Sequence, residues 1–419
     1  MEAFPKIPEW VTLEHQVAQI LTEQEQHGWY FDEQAARKLE STLRREYEET
    51  TQLLRDRHPF VKGSEFTPKR ANSRSGYVEG ATLTKLKDFN PTSRDHISWI
   101  LQTHYGWTPS SLTNSGKAVI DETVLKELGT DIALAFLKLL DLTKQLGMIS
   151  EGVNAWQKLC TKSRIHHHCS VATATFRCAH RTPNLGQVPS DERFRRLFTA
   201  SPSQRMVGAD LSGIELRMLA HYLGRYDGGR YARVLLEGDI HQENADKIGV
   251  TRSQVKTISY AFLYGAGDAK LGYSYDKQLS ESNAKKKGKE IREAYVNAIE
   301  GLKELLEGVH KASKRGFVYG LDHRRILVDS RHKSLNYLLQ GSAAIIAKRW
   351  MVLANEHPLK TPRQLAFVHD ELQFEVQPEE VNDLKFHLEY SAVVAGEHYN
   401  LRCPIAAEAK SGENWAEVH

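Results

Sequence analysis

Two acidic stretches raise the question of chemistry. "VHDEL" (368–372) sets His369, Asp370 and Glu371 between Leu365 and Phe367 on one side and Leu372, Phe374 and Val376 on the other. That alternation reads as a hairpin of two strands with adjacent carboxylates at its turn. "RMVGADLSGIELRMLAHYL" (205–223) reads as a strand through Met206, Val207 and Ala209 that ends at Asp210, followed by a helix carrying Ile214, Leu216, Met218 and Leu219. Two carboxylates on adjacent strands of one sheet can bind a pair of divalent ions about 4 Å apart. Mg²⁺ is held in this way, through one or two carboxylates plus substrate phosphates. A solvated pair of turn acids explains "HDE" taken alone equally well.

A third stretch, "VTRSQVKTISYAFLYGAG" (250–267), changes the balance. Thr251 and Gln254 have the spacing of a capping box, and Gly265 and Gly267 end the helix. Arg252, Lys256, Tyr260 and Tyr264 recur every four residues, so on a helix they share one slowly drifting stripe. Two cations followed by two rings suit a triphosphate at one end and a sugar or base at the other.

These groups need a scaffold, and the chain is long enough to supply one. It has 419 residues, 40% hydrophobic and 26% charged, with a net charge of +3. That length allows two or three domains or subdomains. No apolar run approaches the roughly 18 residues of a membrane span. "MEAFPKIPEW" lacks the basic and apolar regions of a secretory leader. Cys160, Cys169, Cys178 and Cys403 show no CxxC spacing and read as reduced thiols of a cytoplasmic protein, not as a zinc site. From residue 284 to 333 there are 13 Lys/Arg against 7 Asp/Glu, a local net of +6, which suits a polyanion; each run alone also suits a solvated helix face.

Periodicity predicts two long helices at the start, with Thr12 and Asp32 as their N-caps. They are expected to form a protruding element, followed by a loop over 60–88. Helices are expected again from Ser93 to about Glu151, then strands near Ile165, helices from His241 to Ala312, a strand at Arg324–Val328 and a long apolar helix from Ser334. The fold class is therefore α+β.

Taken in order, "DLSGIELR" (210–217), "RSQVKTISYAFLYGAG" (252–267) and "VHDEL" (368–372) resemble motifs A, B and C of the family A, polymerase-I-like DNA polymerases. "TFRCAHRTPNLGQVP" (175–189), "GDIH" (238–241) and "LNYLLQGSAA" (335–344) add to the resemblance. "FNPTSRDHI" (89–97), "SEGVNAW" (150–156) and "GENWAEVH" (412–419) look like the replicative polymerases of T-odd short-tailed phages. The resemblance implies a right-hand fold: thumb 1–144 with a tip loop at 60–88, palm 145–221 and 331–419, fingers 222–330.

It also implies roles. Asp210, Asp370 and the carbonyl of Leu211 would hold two Mg²⁺ ions, with Mn²⁺ as a substitute, and Glu371 would be a supporting acid. His241, Arg252 and Lys256 would grip the triphosphate of a dNTP, and Lys256 would protonate the leaving pyrophosphate. Tyr260 would pack on the incoming sugar, a residue that in this family goes with acceptance of dideoxynucleotides. Glu215, hydrogen-bonded to Tyr264, would exclude a 2′-hydroxyl by steric and desolvation cost. Arg177, Asn336, Gln340 and His369 would touch primer–template DNA in the minor groove or at the primer end, sensing pairing geometry without reading sequence.

The sequence departs from the family pattern at Phe176 and His323, where the family commonly has glycine. Only about a dozen residues precede the first helix, whereas a proofreading domain takes about 200. No exonuclease is expected in this chain, and a separate exonuclease subunit is. The short 60–88 segment argues against thioredoxin as a partner. Taken without the resemblance, the same residues also fit another two-metal enzyme, a nuclease or an RNA polymerase, or a DNA-binding module. Glu215 weighs against the RNA polymerase, the cationic stripe against the nuclease, and the intact acid pair against the module. "HHHC" (166–169) reads as a strand lead-in, because consecutive strand residues point to opposite faces and cannot all ligate one ion.

Overall fold

The acids lie on a four-stranded antiparallel sheet in the order Arg363–Val368, Glu371–Val376, Arg205–Leu211, Ala407–Gly412. The computed structural model describes residues 7–276 and 279–419; the first six residues, part of the stretch expected not to be a secretory leader, lie outside the described residues. Alternation sorts the sheet's faces. Val207, Ala209 and Leu211, with Leu372, Phe374 and Val376, enter one continuous hydrophobic core. The other face carries Glu371, Gln373 and Glu375, all buried, so each needs polar partners there. Glu375 receives them from His27 at 2.6 Å, from the backbone and hydroxyl of Ser201, and from Arg164 at 3.1 Å.

The helix Ser334–Asn355 is apolar nearly all round and is correspondingly buried on most of its surface. Trp350 is fully buried within it, and its indole N–H donates to the Leu388 carbonyl at 2.9 Å. Five helices, Ile240–Ile248, Arg252–Leu263, Asp268–Tyr275, Glu281–Ala298 and Leu302–Ser313, follow one another where helices were expected. Asp268–Tyr275 and Glu281–Ala298 pack backbone to backbone. A Cβ at Gly288 would sit 1.7 Å from the Asp268 carbonyl oxygen, so glycine is required there.

The chain divides into two compact units. One comprises residues 34–158, the other residues up to 33 together with 159–419. The first helix, Glu9–His27, belongs to the larger unit, where Leu13, Val17 and Leu21 join the core. It starts at Glu9 after Pro8, a turn earlier than the expected Thr12 cap. The link to the second helix, Glu33–Arg57, is no simple turn: Trp29–Phe31 is a strand paired with Arg164–Ile165 and Phe198–Thr199. The two helices are therefore not one protruding element in sequence continuity; the first is anchored by core burial.

The smaller unit has its own core, including Leu54, Val61, Phe89, Ile97 and Phe136. The segment expected as a loop is instead a β-ribbon. Phe60–Phe66 pairs antiparallel with Leu83–Asp88, with an irregularity between Lys62 and Glu65. Both faces are largely solvated, so the period-2 signal of a half-buried strand is missing. A cross-strand contact places the Lys85 ammonium 5.0 Å from the Phe66 ring centroid, and Tyr77 of the connecting segment lies with its ring 5.1 Å from that of Phe66.

Candidate active site

Strand register brings the two acidic stretches together. Asp210 lies opposite Glu371, and the Leu211 N–H donates to the Asp370 carbonyl at 3.1 Å. The last residues of one strand are thus bonded to the turn that carries Asp370. His369, in that turn, holds φ +61°, a left-handed conformation that tightens the reversal.

Burial and neighbouring acids raise both aspartates. Burial, then Asp210 and Glu215, push Asp370 up to about 7. Burial, then Glu371, push Asp210 up to about 6. Neither carboxylate has an ion-pair partner among the described residues. Partly desolvated carboxylates with other acids beside them and no ion-pair partner among the described residues are a donor set suited to hard divalent cations. Glu371 is placed differently. It is buried, with Oε1 accepting from Trp415 Nε1 at 2.6 Å and from Gln373, and Oε2 3.1 Å from His419 Nδ1. Its oxygens are occupied by the end of the chain, and its charge reaches Asp210 through space.

Glu215 opens the helix Ile214–Leu223 and is buried. Its Oε1 accepts from Tyr264 OH at 2.8 Å and from Arg177 Nη2 at 2.6 Å. Burial and the Glu215 charge push the Tyr264 phenol up to about 12, so it stays a donor. Arg177 is here engaged with Glu215.

The helix Arg252–Leu263 begins with the Thr251–Gln254 capping box, both halves formed. Arg252 and Lys256 are exposed on it and Tyr260 is half-buried. Lys256 has no ion pair among the described residues, whereas Arg252 Nε donates to Asp239 at 2.6 Å. Asp239 itself caps the helix Ile240–Ile248 and so sets the position of His241. Burial, then Arg252, hold the His241 imidazole below its usual range, which keeps it neutral; Lys256 acts in the same direction. Tyr260 feels the charges of Glu215 and Asp370, so the ring end of the stripe faces the acids. The Asn336 amide donates to the Leu263 carbonyl at 2.7 Å, tying the long helix to the end of the stripe helix. Gln340 follows one turn later, half-buried. His369 lies with its ring 6.5 Å from that of His180.

Three contributors were not singled out from sequence: Asp239, Trp415 and His419. Asp239 carried a signal, an aspartate directly before a helical run. The other two act only through tertiary approach to Glu371.

The sequence model of DNA polymerase family A matches residues 68–417. The chain belongs to DNA polymerase family A. The DNA-directed DNA polymerases of Enterobacteria phage T3 and Escherichia phage T7 are each 32% identical to this family A chain, over 98% of it and 70% of their own length. The DNA polymerase I of Helicobacter pylori strain J99 is 31% identical over 59% of the chain and 29% of its own. Among solved structures, the chain is similar to one described as the POL domain of Pol1 from M. smegmatis in complex with DNA primer-template and dNTP. That similarity has a TM-score of 0.77 at 23% identity, covering 97% of this chain and 70% of the other; it bears on the fold, an α+β polymerase domain. No described helix is long and apolar enough to cross a membrane.

Proposed function

We propose that Asp210 and Asp370 form the metal-binding centre of a template-directed DNA polymerase that adds dNTPs to a primer 3′-hydroxyl. The chain is a DNA-directed DNA polymerase of family A, a family that uses divalent metal ions. The observation that carries the residue assignment is the junction described above: Asp210 opposite Glu371, with the Asp370 carbonyl bonded to Leu211 N–H. Asp210, Asp370 and the Leu211 carbonyl would hold two Mg²⁺ ions, or Mn²⁺. When bound, such ions lower the pKa of the primer hydroxyl and neutralise developing charge on the phosphates.

The remaining work falls to the chain's own groups. Arg252 and Lys256, exposed on one stripe, bind the triphosphate; unpaired Lys256 is placed to give a proton to the departing pyrophosphate. Neutral His241 donates a hydrogen bond to the same phosphates. Tyr260 packs on the sugar. The Glu215–Tyr264 pair walls off the 2′ position, where an extra hydroxyl would meet a buried carboxylate that already has its donors. Arg177, Asn336, Gln340 and His369 contact primer–template DNA. Glu371 keeps the field around Asp210 negative from its buried position.

At the scale of domains, the reading assigns the thumb to the N-terminal part up to about residue 144, the fingers to 222–330, and the palm to 145–221 and 331–419. A polymerase-domain fold matches 97% of the chain, which leaves no stretch for a nuclease fold. These residues are therefore assigned no 3′–5′ exonuclease, and proofreading falls to a separate subunit; thioredoxin is not assigned as a partner.

Primer extension tests the centre. Asp210→Asn and Asp370→Asn should each lower extension at least about 10³-fold, the scale of losing transition-state charge stabilisation. Binding of primer–template, measured by fluorescence anisotropy, should hold within about threefold, since phosphate contacts dominate it. Extension by either variant near the wild-type rate would refute the assignment.

A further inference from the structure

Beyond the polymerase centre, the strand pair His168–Ser170 and Ala179–Arg181 carries a second group of donor side chains. Cys169 and His180 lie directly opposite each other in its register, with Cys169 Sγ 3.1 Å from His180 Nδ1. His167 precedes Cys169 by two residues, so the two share a face. The ligand atoms of His167, Cys169 and His180 all lie within 4.8 Å of one another. All three residues are buried, at 0%, 9% and 7% exposure. His166 and His168 point elsewhere, to the carbonyl and the carboxylate of Glu25.

The cluster has more donor capacity than its surroundings use. His167 Nε2 is 3.1 Å from the Gln24 amide nitrogen, which also approaches Cys169 Sγ at 3.7 Å. His167 Nδ1 and His180 Nε2 are buried with no partner. Each ring thus keeps one buried nitrogen that nothing satisfies, a costly state, while the other nitrogen, His180 Nδ1 or His167 Nε2, faces the Cys169 thiol or the Gln24 amide. We propose that His167, Cys169 and His180 bind a zinc ion. Zn–N distances near 2.0 Å and Zn–S near 2.3 Å put tetrahedral donors roughly 3.3–3.5 Å apart; Cys169 Sγ and His180 Nδ1 are already at 3.1 Å, and pairs nearer the 4.8 Å limit would have to close. The Gln24 amide stands beside the triad, near both His167 and Cys169. Gln24 and Gln364 also line a solvent-open groove of about 770 Å³ along the first helix.

Two imidazoles and a thiolate select a borderline-soft ion over Mg²⁺. Binding releases the Cys169 thiol proton to solvent and leaves one Zn–S and two Zn–N bonds. Residues 171–178, which join the two strands, carry Arg177 and its contact with Glu215. The ion would thus clamp the base of the loop that holds Arg177.

The test uses the full chain, freed of bound metal with chelator, desalted, and kept in excess Mg²⁺ so that the carboxylate centre is filled with a hard ion. Titration with Co²⁺ alone should give an equimolar end point with a thiolate-to-cobalt charge-transfer band, abolished by adding Zn²⁺. Cys169→Ser should lose the band, His180→Gln should weaken Co²⁺ binding at least tenfold, and Cys160→Ser, half-buried outside the cluster, should keep both. No thiolate band in the wild type overturns the proposal whatever the variants do. So does a band retained in Cys169→Ser.

Discussion

Phe176 and His323 hold φ at +62° and +63°, a region that L-residues enter at a cost of about 1–2 kcal/mol. Both stand where the family commonly has glycine, and the backbone shows why glycine is usual there. Phe176 gains something in return: the Arg324 guanidinium lies 4.9 Å from its ring centroid and the ring packs against the core. His323 is exposed and makes no comparable ring contact among the described residues. His323→Gly should therefore stabilise the protein by about 0.5–1 kcal/mol, the relief of strain less the entropy of glycine. Urea unfolding would show the midpoint rise; a fall would mean that the imidazole contributes a contact of its own. Glu215 yields a second expectation at this scale. Glu215→Ala should raise ribonucleotide incorporation relative to deoxynucleotide by about 10²-fold, read by alkali-labile sites in the product. Tyr264→Phe, which keeps the ring and removes one donor, should raise it less. Equal discrimination in all three proteins would remove Glu215 from sugar selection.

Elements differ in how much the sequence reveals of them. The stripe helix was legible because its cap, its stop and its period are all local: Thr251–Gln254 is formed as read, and the helix ends at Leu263 before Gly265. The strand ending in Asp210 and the hairpin at Asp370 were legible from alternation, but their pairing rested on the resemblance. The ribbon at 60–88 was not legible, since strands solvated on both faces carry no period-2 signal. The triad of His167, Cys169 and His180 was only half legible. Alternation does forbid four consecutive ligands, yet it leaves the i, i+2 pair on one face, and the third member comes from the partner strand.

The sheet's polar face gives the element-scale prediction. Burial alone would raise the Glu375 carboxyl, but bonds from His27 and Ser201 and the charge of Arg164 hold it down to about 2, against 4.5 unperturbed. A depressed carboxylate stabilises the fold above its unfolded pKa and loses that contribution as pH falls through the folded one. Glu375→Gln should cost about 3 kcal/mol at neutral pH. The gap from wild type should narrow as pH drops from about 4.5 to about 2. A gap constant with pH, in urea melts across that range, would show that packing and not charge is at stake.

Residues 34–158 and the remaining described residues each carry a hydrophobic core of their own. Each is large enough to unfold cooperatively by itself, so a single two-state transition is not expected. Scanning calorimetry should give a calorimetric enthalpy above the van't Hoff value. A ratio of one would mean that the units melt as a single body. The region from residue 284 to 333, with its local net of +6, lies within the larger unit and should give DNA binding a steep salt dependence, whereas the net charge of +3 for the whole chain predicts a shallow one.

One atom, Oε1 of Glu215, receives both Tyr264 and Arg177. Tyr264 ends the nucleotide-side helix, and Arg177 belongs to the loop assigned to DNA. If that helix swings outward, the oxygen loses one donor and its remaining charge falls wholly to the arginine, drawing it away from the duplex. If the helix returns, the hold on the arginine loosens. Without any long-range relay, a single acceptor would then make grip on the primer depend on whether the nucleotide side is shut.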